Sequence, residues 1–186
     1  MEFKKMYDQA ITANQASIEA VLISSFCNKK NEVDSRLVNL KIVENEDFIF
    51  FSNYESPKAI QFSSHEQISA VFFWPNINLQ IRMKAKIKKV ADDYSNNYFK
   101  TRSIYKNALA ISSNQSKEIN SYQEVIDKYN ATLNDSDKLG IRPKFWGGFS
   151  FKPFYFEFWE GHKSRLNKRI AYNYSNKSWK KKFLQP

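Results

Sequence analysis

Glycine, cysteine and histidine are all scarce in this chain, and each scarcity closes off a class of chemistry. Four of its 186 residues are glycine (Gly140, Gly147, Gly148 and Gly161), and none precedes residue 140. A P-loop or a dinucleotide-binding turn needs several glycines after a strand, so that backbone N–H groups can approach phosphates; neither motif exists here. The G-x-S-x-G elbow of serine hydrolases is missing too. A lone cysteine, Cys27, excludes an internal disulfide framework, and its place after the apolar run 20–26 predicts a buried, inert thiol. With only His65 and His162, and no clustered Asp/Glu motif, no metal site is expected. No apolar run approaches the roughly 18 residues of a membrane span. Residues 1–7 lack the apolar run and small-residue cleavage site of a signal peptide, so we expect a soluble cytoplasmic protein.

What is abundant points to one folded domain over residues 1–186. Hydrophobic residues make up 42% and aromatics 16%, ample for a core at a length that buries roughly 70% of the unfolded surface. The balance of 29 basic to 19 acidic residues gives +10, which is compatible with anionic partners. Richness in Lys, Asn, Ile and Phe, all AT-rich codons, accounts for a high pI equally well.

Phe3, Met6, Tyr7 and Ile11 fall at helical spacing, predicting a helix within residues 1–17. Apolar, β-branched and aromatic runs at 20–26, 36–43, 47–52 and 68–74 predict strands, with a turn at Asn45-Glu46-Asp47. Ser56-Pro57 reads as an N-cap and a proline at the first helical position. Residues 79–87 alternate, with Leu79, Ile81, Met83, Ala85 and Ile87 on one face and Gln80, Arg82, Lys84 and Lys86 on the other: a half-buried strand with a basic side. Helices are predicted from Asp92-Asp93 through Phe99 and over 121–133, and strands at 154–159 and 168–172. Short strands with interspersed helices indicate an α+β protein, mainly β, built around an antiparallel barrel.

Several short stretches have a ligand reading beside a plain one. Arg36 and Lys41, five apart on a predicted strand, face opposite sides. Ser52, Ser56 and Lys58 around a helix start provide hydroxyls and a cation for phosphate, or merely a capped turn. Gln115-Ser116 offers polar partners to a ring edge. Trp146-Gly147-Gly148 reads as a loop tip or a bulge. In EFWEGHKSRLNKR (157–169), Glu157 within an apolar run needs a cationic partner, Arg165 or Arg169. Arginine also binds phosphate bidentately and stacks on flat rings.

In collinear order SRLVNLK (35–41), FFSNYESPK (50–58), LQIR (79–82), YFKTR (98–102), NQS (114–116), WGG (146–148), EFWEG (157–161) and RLNKR (165–169) resemble the pyridoxamine 5'-phosphate oxidase family. That resemblance implies an antiparallel split β-barrel with short flanking helices, homodimeric, with FMN at the interface. It implies FMN contacts from Arg36, Leu37, Val38, Asn39, Phe51, Ser52, Lys58, Gln80, Gln115, Ser116, Trp159 and Arg169. The substrate, pyridoxamine or pyridoxine 5'-phosphate, would meet Lys41, Tyr98, Arg102 and Lys106 at its phosphate. Arg165, the implied catalytic residue, and Asn167 would lie at its ring. The implied reaction passes a hydride from the substrate carbon to flavin N5, and oxygen returns hydrogen peroxide.

The chain departs from the family pattern at four places. Asn167 replaces a histidine and cannot accept a proton at neutral pH. Lys106 stands for a serine, Pro57 for a basic residue, and Leu109 for a glycine. A related flavin oxidoreductase with another substrate is therefore one alternative. Another is a nucleic-acid-binding module using Arg82, Lys84, Lys86, Lys88 and the run Lys180-Lys181-Lys182.

Overall fold

Alternation decides the centre of the molecule. In the computed structural model, which describes residues 2–186, strand β6 (Leu79–Lys89) buries Leu79, Ile81, Met83, Ala85 and Ile87 and turns its basic residues outward, as the pattern predicts. The elements around it are α1 (Glu2–Thr12), β1 (Ala20–Cys27), β2 (Glu32–Asn39), β3 (Ile42–Glu44), β4 (Asp47–Asn53), α2 (Pro57–Ser64), β5 (Gln67–Trp74), α3 (Asp92–Thr101), α4 (Ile104–Ser112), α5 (Tyr122–Leu133), α6 (Ser136–Leu139), β7 (Trp146–Glu160), β8 (Lys168–Ser175) and β9 (Ser178–Leu184). Among the described residues no helix is long and apolar enough to cross a membrane.

All nine strands join one antiparallel sheet in the order β2-β1-β5-β6-β7-β4-β3, with β8 on β7 and β9 on β8. Strand β7 serves two partners on its second edge. Trp146–Phe151 pairs with β4, and Tyr155–Glu160 pairs with β8. The handover falls at Pro153-Phe154, where β6 slips register: Lys84 opposes Tyr155 and Ala85 opposes Pro153, so Phe154 is the extra, bulged residue. Proline has no N–H for the ladder and suits that break. This handover splits the barrel. Closure on the other side comes from the Lys41 N–H, which donates to the Ile49 carbonyl at 2.8 Å. Inside lie Phe48, Phe50, Phe72, Trp74, Phe149 and Phe151, with Phe3 of α1 set edge-on against Phe48 at 4.8 Å.

Four expectations need correction. The run 36–43 is two strands, β2 and β3, because the backbone changes partner: the Leu40 N–H bonds to Glu19 while that of Lys41 reaches β4. Lys41 therefore sits between strands rather than on one. Trp146-Gly147-Gly148 is neither loop tip nor bulge but the start of β7, opposite Phe51–Asn53. Ser56 occupies the N-cap position of α2, yet its hydroxyl makes no cap; it donates instead to the Asn53 carbonyl at 2.7 Å. Strand β9 and helices α4 and α6 fall where the sequence predicts no element. The β3–β4 and β8–β9 turns place Asn45, Glu46, Asn176 and Lys177 at positive φ, so this chain makes tight turns without glycine.

Candidate active site

Lys58, the second residue of α2, is only 8% exposed. Its Nζ donates to Ser52 Oγ at 3.1 Å and Ser56 Oγ at 3.2 Å. Burial, helped by the positive charge of Arg36 and opposed by Asp34, lowers its pKa to about 8. It borders a cavity of about 590 Å³ lined also by Leu37, Val38 and Asn39 of β2, Phe51 and Ser52 of β4, Tyr98 and Arg102 of the α3 region, Lys41, Lys106, Gln115 and Trp146. Four cations thus face one space with a single carboxylate, Glu19. Among the described residues no carboxylate forms an ion pair with any of the four.

Arg102 is held without an acid. Its guanidinium lies 4.2 Å from the Trp146 ring centre and 5.5 Å from that of Phe99. Nη2 donates to the Lys106 carbonyl at 2.9 Å, while Nη1 is buried with no partner. An orphaned charged donor beside a cavity asks for an anionic acceptor. Burial pushes the guanidinium below its usual range, against the pull of Tyr98, and raises the Tyr98 phenol despite Arg102. Tyr98 stacks on Phe51 at 3.7 Å with planes 6° apart. A Cβ on Gly148 would come within 2.6 Å of Val90 Cγ2 and 3.0 Å of Phe51 Cε1, so glycine there is what lets Phe51 lie flat against β7.

The remaining expected residues lie elsewhere. Arg36 donates to Ser25 Oγ (2.6 Å), Gln61 Oε1 (2.7 Å) and Asp34 (2.5 Å) and does not line the cavity. Ser116 follows Gln115 at φ 67° and is also outside the lining. Gln80, Trp159 and Arg169 form one cross-strand row on β6, β7 and β8, on the face opposite the core. Beside that row Glu157, 2% exposed, takes Arg169 as its partner (Nε to Oε1 2.9 Å), with Arg82 at 3.2 Å and the Tyr155 hydroxyl at 2.9 Å. Burial raises the Glu157 carboxyl, but these donors and charges more than reverse that and leave it below the usual range. Arg165, the other candidate partner, is instead exposed in the β7–β8 loop at φ 59°. Asn167 Oδ1 accepts the His162 N–H at 3.0 Å and closes that loop.

Sequence reasoning missed Glu19, which carries no motif, and gave Trp146 no site role although its stretch was noticed. The proposed basic face is partly neutralised, Arg82 by Glu157 and Lys86 by Glu66. In β9 Lys181 points to the opposite side from Lys180 and Lys182, so the run is not one patch.

Two family models match the chain: "Pyridoxamine 5'-phosphate oxidase" over residues 8–132 and "Pyridoxine 5'-phosphate oxidase C-terminal dimerisation region" over 146–186. A pyridoxine/pyridoxamine 5'-phosphate oxidase of Legionella pneumophila is 34% identical over 186 residues, covering 100% of this chain and 86% of that protein. One from Cytophaga hutchinsonii is 35% identical over 174 residues, covering 92% and 80%. Among solved structures, PhzG of Burkholderia lata in complex with tetrahydrophenazine-1-carboxylic acid superposes with a TM-score of 0.91 at 21% identity, covering 99% of this chain and 90% of that one. A pyridoxamine 5'-phosphate oxidase-related, FMN-binding protein of Nostoc punctiforme gives 0.80 at 12%, covering 100% and 98%.

Proposed function

The chain belongs to the pyridoxamine 5'-phosphate oxidase family, and on that premise we propose that it is an FMN-dependent oxidase converting pyridoxamine or pyridoxine 5'-phosphate to pyridoxal 5'-phosphate. The observation that carries the reading is the cavity with four cations, none in an ion pair, among them a buried lysine and an arginine with an orphaned donor.

The residues present fit FMN. Lys58 and Ser52 would hold its phosphate, where a dianion would restore the charge that burial disfavours. Phe51 gives an apolar wall, and Gln115 a partner for the polar ring edge. The cavity volume lies within the roughly 300–1,000 Å³ of cofactor sites. When bound, FMN supplies the two-electron acceptor for the hydride leaving the carbon that bears the amine or alcohol, and oxygen carries the electrons away as hydrogen peroxide. Arg102, Lys41 and Lys106 would grip the substrate phosphate and fix that carbon's position, and Tyr98 would close the space around it.

Gln80, Trp159 and Arg169 stand outside the cavity, and a homodimer accounts for this: the row on β6–β8 of one copy would complete the cavity of the other. The row's β7 and β8 members fall in the stretch matched by the dimerisation model. Arg165 and Asn167, on the adjoining loop, would reach the substrate ring the same way. A related oxidoreductase with a different substrate is the second reading, favoured by Lys106 in the cavity and by Asn167, whose amide oxygen is spent on its own loop. One experiment separates the two. FMN-loaded protein is given each B6 phosphate under air, and peroxide and aldehyde are measured. Equal amounts of both products support the first reading; bound FMN with neither product refutes it.

A further inference from the structure

We propose that Trp146 is a positioning residue for Arg102, its indole face holding the guanidinium, charged and with one N–H unpaired, at the cavity for an anionic substrate group. The inference deepens the proposed function and rests on the assignment of Arg102 to the substrate phosphate.

A guanidinium fixed by a carboxylate would be oriented but neutralised. Arg102 is oriented by other means: the Trp146 ring at 4.2 Å, the Phe99 ring at 5.5 Å, and a neutral carbonyl, that of Lys106, at 2.9 Å. These contacts keep the full positive charge and leave Nη1 without a partner. The platform is itself immobile. Trp146 is 6% exposed, lies 12° from parallel with Phe51 at 5.3 Å, and takes the edge of Phe99 at 5.2 Å. Tyr98, Phe51, Trp146 and Arg102 thus form a run of flat groups, each against the next.

The backbone is clamped to the helix that carries Tyr98 and leads to Arg102. Arg142 donates to the Trp146 carbonyl at 2.5 Å and also binds Asp92 and Asn96 of α3. The Gly148 N–H donates to Ser95 Oγ of α3 at 3.1 Å, and a Cβ on Gly147 would collide with Tyr54 and Ser95. The whole Trp-Gly-Gly stretch acquires a purpose: Gly147 lets β7 approach Ser95 of α3, Gly148 makes room for Phe51, and the tryptophan meets the arginine just past the end of α3.

The test is calorimetry on the FMN-loaded full-length protein, titrated with pyridoxal 5'-phosphate and with pyridoxal. Trp146→Leu should weaken the phosphorylated ligand by about tenfold and the unphosphorylated one by less than about twofold, and Trp146→Phe, which keeps a flat face, should recover most of the loss. Equal weakening of both ligands, or a phenylalanine variant no better than leucine, would mean that Trp146 only supports the fold and would overturn the inference. Arg102→Gln, which removes the cation, separates the two levels. Weakening by Arg102→Gln but not by Trp146→Leu sinks this inference alone. No weakening by Arg102→Gln removes the phosphate assignment and this inference with it.

Discussion

With Lys58 on the FMN phosphate, as proposed, its burial predicts a pH dependence of flavin binding with a definite sign. Its pKa falls from 10.5 to about 8. Below about pH 8 the lysine is charged in both folded and unfolded chains, and the folded state carries the whole desolvation cost. Between about 8 and 10.5 the folded state sheds the proton first, so stability without ligand rises with pH across that window, by roughly 3 kcal/mol at most. A phosphate dianion beside Nζ reverses the balance. Above about pH 8 its binding must take up a proton, so affinity for FMN falls, by up to about tenfold per pH unit. Flavin fluorescence titrations between about pH 7 and 9.5 measure this, with riboflavin, which has no phosphate, as the control. Lys58→Met should bind FMN weakly at neutral pH and lose the slope. A methionine variant with the wild-type slope, or riboflavin sharing it, would refute the assignment of Lys58 to the phosphate.

Glu157→Gln removes the charge that two arginines and a tyrosine surround, and should lower stability by about 1–3 kcal/mol in urea denaturation, discounted for the partial exposure of Arg82. Because the Glu157 carboxyl titrates below its usual range, its contribution is present above about pH 4.5 and lost as pH falls through the folded value; the glutamine variant should show less acid destabilisation than wild type, and an equal acid midpoint would contradict this. Gly148→Ala should displace Phe51 and cost about 1–3 kcal/mol, with the near-ultraviolet circular dichroism of the aromatic run reduced; an unchanged spectrum and stability would show the contact to be slack. Lys106→Ser should weaken pyridoxal 5'-phosphate binding by about threefold to tenfold, and a tighter complex would show that the lysine obstructs the cavity instead.

How far the sequence led differs between strands and site. Alternation in 79–87 foretold β6 and its two faces because strand periodicity is local. The break at Leu40-Lys41 was hidden because it arises from a change of partner strand, which leaves no trace in an apolar run. For Glu157 the need for a cation was legible from one carboxylate among aromatics. The choice of Arg169 over Arg165 was not, since it follows from the register that puts Arg169 opposite Trp159 while Arg165 sits in a loop with left-handed backbone. Lys58 was legible as a phosphate cation at a hydroxyl-rich helix start, the roles of Lys41, Tyr98 and Arg102 came from resemblance, and the fold brings all four to one cavity. Gln80, Trp159 and Arg169 are drawn together into a separate row, a grouping that no linear spacing reveals.

The most direct test is spectroscopic. The protein is loaded with FMN, freed of oxygen and mixed with pyridoxine 5'-phosphate, while its visible absorbance is followed. The account predicts that the flavin band bleaches with the phosphorylated compound, far less with pyridoxine, and returns when air is admitted with hydrogen peroxide in equal amount. A protein that holds FMN yet shows no bleaching with either pyridoxine or pyridoxamine 5'-phosphate would contradict the proposed reaction.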